Sequence, residues 1–371
     1  MKTVKLYEQN VYQKEFYAKI IDIIDCKIVL DQTLFFPEGG GQFCDQGTIS
    51  GLPVIDVQIE EGIIYHTVKD HSLHLGETIK GIIDFDIRFS NMQNHSSEHI
   101  LSSLVKRLFG FDNIGFHLGR EDMTADFNGF FSREDILMLE NKVNEVIFQN
   151  KKIRAFYPED PSLLDYRSKK ELNEPVRLVE IEDIDLCACC APHVLRTGEI
   201  GQFKILKTMN MKKGTRFFIA GGKRALESAQ KDYQLLVKLY HLLSANDQTL
   251  LSYIQGLLNT NKELSEKYHS LQREMLFERL KRNSCLFIDE LAPHLQRELV
   301  DEHYNITHSL TAIFVGNDHQ GYRFIIKGND LPELLSLLKE KGAKGGGSKI
   351  MVQGFLDISE NELKEALSSF F

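Results

Sequence analysis

The chain has 371 residues, 42% of them hydrophobic and 26% charged, with a formal net charge of −9. That is the composition of a globular protein with room for two or three domains. No stretch is long and apolar enough to span a membrane, and the opening segment places charges and tyrosines where a secretory signal would have its apolar core, so a cytoplasmic protein is expected. The acidic balance excludes a general nucleic-acid coat while leaving local basic patches free to bind RNA, and six cysteines are too few for a disulfide scaffold in a chain of this length.

Residues 1–88 alternate apolar and polar side chains from Val54 to Ile59 and again from Ile79 to Phe85, broken by Gly51, Gly62 and Gly76. Short strands closing into a small β-barrel are expected. Between them, FFPEGGGQFCDQG must form a loop. Gly39, Gly40, Gly41 and Gln42 are candidate substrate contacts, or simply a tight turn with positive φ. No Gly-Lys-Ser/Thr follows, so this is not a phosphate-binding Walker loop.

From about Asn91 the period becomes helical, with His95 and His99 followed on one face by Ile100, Leu101, Leu104, Val105 and Leu108 until Gly110. This places the histidines near a helix N-terminus. FHLGREDMTADF reads as a strand pair, Ser132 to Asn150 as a second amphipathic helix, and Arg177 to Phe218 as strand-rich. The fold class is therefore α+β: an N-terminal barrel over residues 1–88, then helices against an antiparallel sheet over 89–224.

His95 and His99 stand four residues apart, as do Cys189 and His193 in CACCAPH. One helical turn would bring each pair onto one face as a bidentate clamp. Three imidazoles and one thiolate favour a single zinc ion per chain, and the cluster of Cys187, Cys189 and Cys190 suits metal binding in a reducing compartment. Four protein ligands normally close the shell of a structural site, so catalysis would require an expanded shell or a displaced ligand. Glu98 is not where the metalloprotease pattern HExxH puts its glutamate. It could orient water or a ligand, or be a solvated helix residue.

After Arg224, apolar residues at Leu250, Ile254, Leu257, Leu264, Tyr268, Leu271 and Met275 follow steps of four and three, with Asn261 as a polar intruder. Residues 225–285 are expected to form a helical hairpin broken at SANDQ, or a coiled coil pairing two copies as a homodimer. Residues 286–371 form a small α/β domain, with strands at Ala312–Val315 and Tyr322–Ile326, a helix at Leu331–Lys341, and GAKGGGSKIMVQG as a glycine-rich loop entering a strand. Gly345, Gly346 and Gly347 would let backbone amides approach a sugar or phosphate, with Lys344 and Lys349 adding charge. A second basic stretch, Lys207, Lys212, Lys213 and Arg216, could steer a nucleic acid or be a solvated turn.

The ordered motifs FFPEGGGQxxDxG, IDFDIRxxxMQNHSSEH, FHLG, CACCAPHVxxTGEIGxFKI and GTRFFIAGGKRAL together resemble the alanyl-tRNA editing proteins of the AlaX family, in its long form. These are relatives of the editing half of alanyl-tRNA synthetase, and the last hundred residues are similar to that enzyme's C-terminal domain. The resemblance implies that His95, His99, Cys189 and His193 hold zinc. It also implies that the chain hydrolyses serine or glycine from mischarged tRNA(Ala), serving translation fidelity without charging tRNA, and that the C-terminal domain grips tRNA. Where synthetases typically read Cys-Gly-Gly-Thr-His, this chain has Cys190, Ala191 and Pro192 between the ligands, and Glu98 replaces a threonine commonly found before the second histidine. Both changes border the amino-acid pocket and bear on amino-acid preference.

Hydrolysis of such an ester needs modest assistance: an ion to stabilise charge on the carbonyl oxygen, with Glu98 or His117 to handle protons. Hydrolysis of another aminoacyl ester, or tRNA binding around a structural zinc, are the alternatives.

Overall fold

A computed structural model describes residues 2–120, 122–168 and 175–371. It is a mixed α+β structure with several sheets, divided into two compact units, Met1–Val237 and Lys238–Phe371. Among the described residues no helix is long and apolar enough to cross a membrane.

The first unit opens with β1 (Val4–Lys5), the short helix α1 (Leu6–Gln9), β2 (Glu15–Ile24), β3 (Lys27–Leu30), β4 (Gln32–Thr33), β5 (Gly47–Ile49), β6 (Leu52–Glu60), β7 (Ile63–Val68) and β8 (Thr78–Ile83). Six of these pair in a closed ring, β2-β3-β7-β6-β5-β8. Their alternation directs Phe16, Ile20, Ile28, Leu30, Val57 and Ile64 inward with Phe35 and Phe36 from the loop, all buried.

There follow α2 (Phe85–Phe109), β9 (Asn113–Leu118), β10 (Met123–Phe127), α3 (Arg133–Phe148), β11 (Ile153–Phe156), β12 (Leu178–Ile181), β13 (Asp185–Ala188), β14 (Phe203–Met211), β15 (Gly214–Gly221) and α4 (Gly222–Leu243). The strands form two antiparallel sheets, β14-β15-β10-β9 and β11-β12-β13. Buried Ile100, Leu101 and Val105 of α2 and Leu139, Val143 and Ile147 of α3 share one core with the sheet residues Phe127, Phe217 and Ile219.

α2 begins six residues earlier than the sequence suggests. Asp84 caps it, its carboxylate accepting from Ile87 N at 3.1 Å, and the first turns are polar on the faces where periodicity is counted. His95 and His99 therefore lie in the middle of a 25-residue helix, not near its N-terminus. Within its first turns Arg88, fully buried, grips Asp45 through Nε at 2.9 and 3.0 Å and donates to Leu34 O at 2.6 Å. The helix is thereby locked to the barrel.

The second unit contains α5 (Leu250–Arg282), β16 (Cys285–Ile288), α6 (Pro293–Thr307), β17 (Thr311–Asn317), β18 (Gly321–Lys327), α7 (Pro332–Glu340), β19 (Lys344–Gly347), β20 (Met351–Leu356) and α8 (Glu360–Leu367). Its five-stranded sheet runs β16-β17-β18-β20-β19. The helix break expected at SANDQ is present, and Leu257, Leu264, Tyr268, Leu271 and Met275 of the seam stand exposed on the single chain. The glycines expected in a loop form an edge strand: β19 pairs Gly345, Gly346 and Gly347 with Gly354, Gln353 and Val352. A Cβ on Gly345 would lie 2.3 Å from Gln353 O, so the absence of side chains is what permits this close pairing.

Candidate metal centre

Helix α2 presents His95 and His99 one turn apart. Cys189 and His193 come from the segment after β13, which is not helical. The expectation of two helical clamps thus holds for one pair only. Pro192 lacks an amide hydrogen and disfavours helix in the residue before it, so the second pair is held by anchors instead. Ala191 is buried in the barrel core and Val194 in the neighbouring core, while Arg177 Nη1 donates to the carbonyls of Cys189 at 2.9 Å and Ala191 at 3.0 Å.

The four expected ligands converge, with their donor atoms within 4.8 Å of one another. Cys189 Sγ lies 3.6 Å from His95 Nε2 and 3.3 Å from His193 Nε2. Tetrahedral zinc with bonds of about 2.0–2.3 Å puts neighbouring donors roughly 3.5 Å apart. The donor set and its spacing therefore fit a small ion preferring nitrogen and sulfur. Electrostatics agree: burial, with His99 and His95 nearby, holds the His193 pKa well below its ordinary value, keeping the ring neutral and able to ligate. Burial also pushes the Cys189 thiol far up, so a cation is needed to stabilise its thiolate.

Each ring has a polar neighbour at its other nitrogen, though His99 Nδ1 makes an ion-pair approach and no hydrogen bond among the described residues. Gln42 Oε1 lies 2.8 Å from His95 Nδ1, Ser96 Oγ 3.0 Å from His193 Nδ1, and Asp185 Oδ2 3.3 Å from His99 Nδ1. Against the desolvation of its buried site, His99 and Arg167 hold Asp185 below the usual carboxylate range. Asp185 and Ser96 were not legible as site residues, because their relation to the ligands is made by folding; only Ser96's adjacency to His95 hinted at it.

The glycine loop belongs to this centre. Gly39 and Gln42 exchange backbone hydrogen bonds of 3.1 and 3.0 Å in a tight turn, with φ of +61° at Gly40 and +83° at Gly41. Gly41 O accepts from Leu118 N at 2.7 Å, which pins the turn against β9 and delivers Gln42 to His95. Gln42 is buried, and its Nε2 has no partner among the described residues. The tight turn expected at these glycines is thus present.

The two expected proton handlers are placed differently. Glu98 is buried, not solvated, and accepts from Ser102 Oγ at 2.6 Å and from Asn113 Nδ2. His117 is exposed on β9, edge-on to Phe43 at 5.7 Å between ring centroids, while its neighbour Phe116 packs on His95 at 4.8 Å. Neither is among the ligand atoms that converge. In the basic stretch, Lys212 and Lys213 form the exposed turn between β14 and β15, whereas Arg216 is engaged by Asp126 at 2.7 Å. Lys207 lies over the Phe218 ring at 4.2 Å. In the second unit, Lys344 at the start of β19 and Lys349 just after it are exposed.

Comparison with known proteins finds relatives along the chain. Residues 176–218, which carry the second ligand pair, match the threonyl and alanyl tRNA synthetase second additional domain, and residues 2–87 match the class II (A) tRNA synthetases. The alanyl-tRNA editing protein AlaX-L of Pyrococcus horikoshii is 28% identical over 97% of this chain and 96% of its own length. The alanine–tRNA ligases of Methanococcus vannielii and Ignicoccus hospitalis are 28% and 30% identical over 98% and 93% of this chain. The chain spans only 43% and 40% of those ligases. Along nearly its whole length, the chain is thus a relative of the alanyl-tRNA editing protein AlaX-L and of the matching part of the alanine–tRNA ligases.

Proposed function

We propose that the chain is a free-standing editing hydrolase that removes serine, and also glycine, from mischarged tRNA(Ala), with one zinc ion held by His95, His99, Cys189 and His193 and no aminoacylation of its own. The observation that carries this reading is the convergence of those four ligands in a chain similar to AlaX-L from end to end. When bound, the ion would supply electrophilic stabilisation of charge on the ester carbonyl oxygen.

The chain's own residues account for the rest. Gln42, fixed by its contact with His95, offers a desolvated amide donor beside the ligands. Such a donor loses its partner when the substrate lacks a matching acceptor. A site that hydrogen-bonds the serine hydroxyl can therefore reject alanine by roughly ten-thousand-fold, where a synthetase pocket for alanine cannot exclude serine by fit. Glu98 is already engaged by Ser102 and Asn113, so the exposed His117 ring is the better placed of the two proposed handlers to exchange a proton with bound substrate. Exposed Lys212 and Lys213 would steer the acceptor end, and Lys344, Lys349 and the β19 glycines would grip tRNA.

The test is deacylation of tRNA(Ala) charged separately with serine, glycine and alanine, with and without a zinc chelator. Chelator-sensitive loss of serine or glycine with alanine spared is the expected result. No hydrolysis of any of the three, with tRNA binding retained, would favour another aminoacyl ester or a binding protein with structural zinc.

A further inference from the structure

We infer that Asp185, anchored by Arg167, is a positioning residue for the metal centre: it fixes His99 as the tautomer protonated at Nδ1 and leaves Nε2 for the ion. The inference rests on the metal-centre reading above and goes one layer outward from the ligands.

Of the three histidines, His95 has an amide oxygen at Nδ1 and His193 a hydroxyl. His99 has a carboxylate, at 3.3 Å. The approach is an ion-pair contact without hydrogen-bond geometry; because an ionised carboxylate can only accept, it favours the proton on Nδ1. Both His99 and Asp185 are buried, which leaves no water to compete for either group.

Asp185 is itself held from behind. Arg167 Nε and Nη2 donate to its two oxygens, each at 2.7 Å, a planar fork that fixes the carboxylate plane as well as its position. The Arg167 backbone is stitched to the same strand: its N–H donates to Leu186 O at 2.8 Å and its carbonyl accepts from Ala188 N at 2.9 Å. β13, which leads into Cys189, thus also bears on the orientation of His99 on α2.

His99, Asp185 and Cys187 also lie close enough together to suggest a second metal position. Arg167 argues against it, because a dication there would face a guanidinium already occupying both carboxylate oxygens. A carboxylate that orients a ligand imidazole and raises its basicity is the arrangement that remains, and losing such a partner typically weakens metal binding about ten- to a hundredfold.

The test compares wild type with Asp185→Asn. Apo proteins are titrated with zinc against a chromogenic chelator, and the cobalt(II)-substituted forms are compared by their ligand-field and thiolate charge-transfer bands, with far-ultraviolet circular dichroism of the apo form reporting the fold. The expected result is a ten- to hundredfold weaker zinc affinity and shifted cobalt bands in a folded D185N protein. Unchanged affinity and unchanged bands would overturn the inference. Should D185N not fold, imidazole nitrogen resonances of the zinc-loaded wild type decide: a proton on His99 Nδ1 supports the role, and an unprotonated or ligating Nδ1 overturns it. Failure of wild type to take up zinc would overturn the metal-centre reading itself, an outcome distinct from wild type binding and D185N binding equally well.

Discussion

His66 is fully buried in the barrel, where its ring donates from Nδ1 to Ile28 O at 3.0 Å and receives the Thr33 hydroxyl at Nε2, 2.8 Å away. Burial lowers its pKa from 6.5 to about 4. Between those values the unfolded chain binds the proton that the folded chain refuses, so this contribution to stability is complete above pH 6.5 and declines as pH falls toward 4. Chemical denaturation at pH 7 and pH 4.5 is expected to show the loss, up to about 3 kcal/mol for this group, and His66→Gln should flatten that part of the profile. Gly41 carries a second residue-level prediction. At φ +83°, a Cβ there would meet Phe116 O at 2.5 Å, so Gly41→Ala should cost about 1–3 kcal/mol in strain, displace Gln42 and weaken metal uptake, measured by chelator competition. The clustering of His95, His99, Cys189 and His193 was legible in the sequence because two pairs, each weak alone, together supply a full coordination number. Gln42's contact with His95, and the presence of Asp185, were not, because hydrogen bonds across 53 residues and a strand-to-helix approach leave no local pattern.

Among the elements, α2 carries two of the four candidate ligands, and a buried Arg88–Asp45 ion pair helps attach it to the barrel. Removing either partner leaves the other charged and unsolvated. Asp45→Asn or Arg88→Met should therefore destabilise the protein by about 3–5 kcal/mol, read as a shift in urea midpoint without a change in slope. Helix placement followed from periodicity for α3, where one face is apolar, and strand placement for β17 and β18 followed from short apolar runs buried on both faces. Periodicity failed at the start of α2, where Arg88, Gln93 and Asn94 are buried polar residues that mimic a surface pattern. It failed again at Cys189–His193, where a helical spacing is produced by a loop, and at β19, where glycine's usual loop preference is overridden by backbone pairing with β20.

For the whole molecule, all four ligands, Gln42 and Asp185 lie within Met1–Val237 and the glycine strand lies beyond it. A chain cut after Val237 is expected to keep zinc and to hydrolyse seryl-tRNA at saturating concentration with kcat near that of the full chain, while KM rises. Loss of kcat with zinc retained would show that the second unit contributes to the chemistry. Lys212→Glu with Lys213→Glu should raise KM and reduce its salt dependence with little change in kcat. The two-unit division was less legible than the elements: the boundary falls inside helix α4, and a continuous helical period gives no mark where one compact unit ends. The ligands also join stretches of chain 94 residues apart. An ion bound there would act as a reversible crosslink that exists only once both stretches are in place, so the fold's resistance to heat would become a function of free zinc in the surroundings, rising with its logarithm above the dissociation constant.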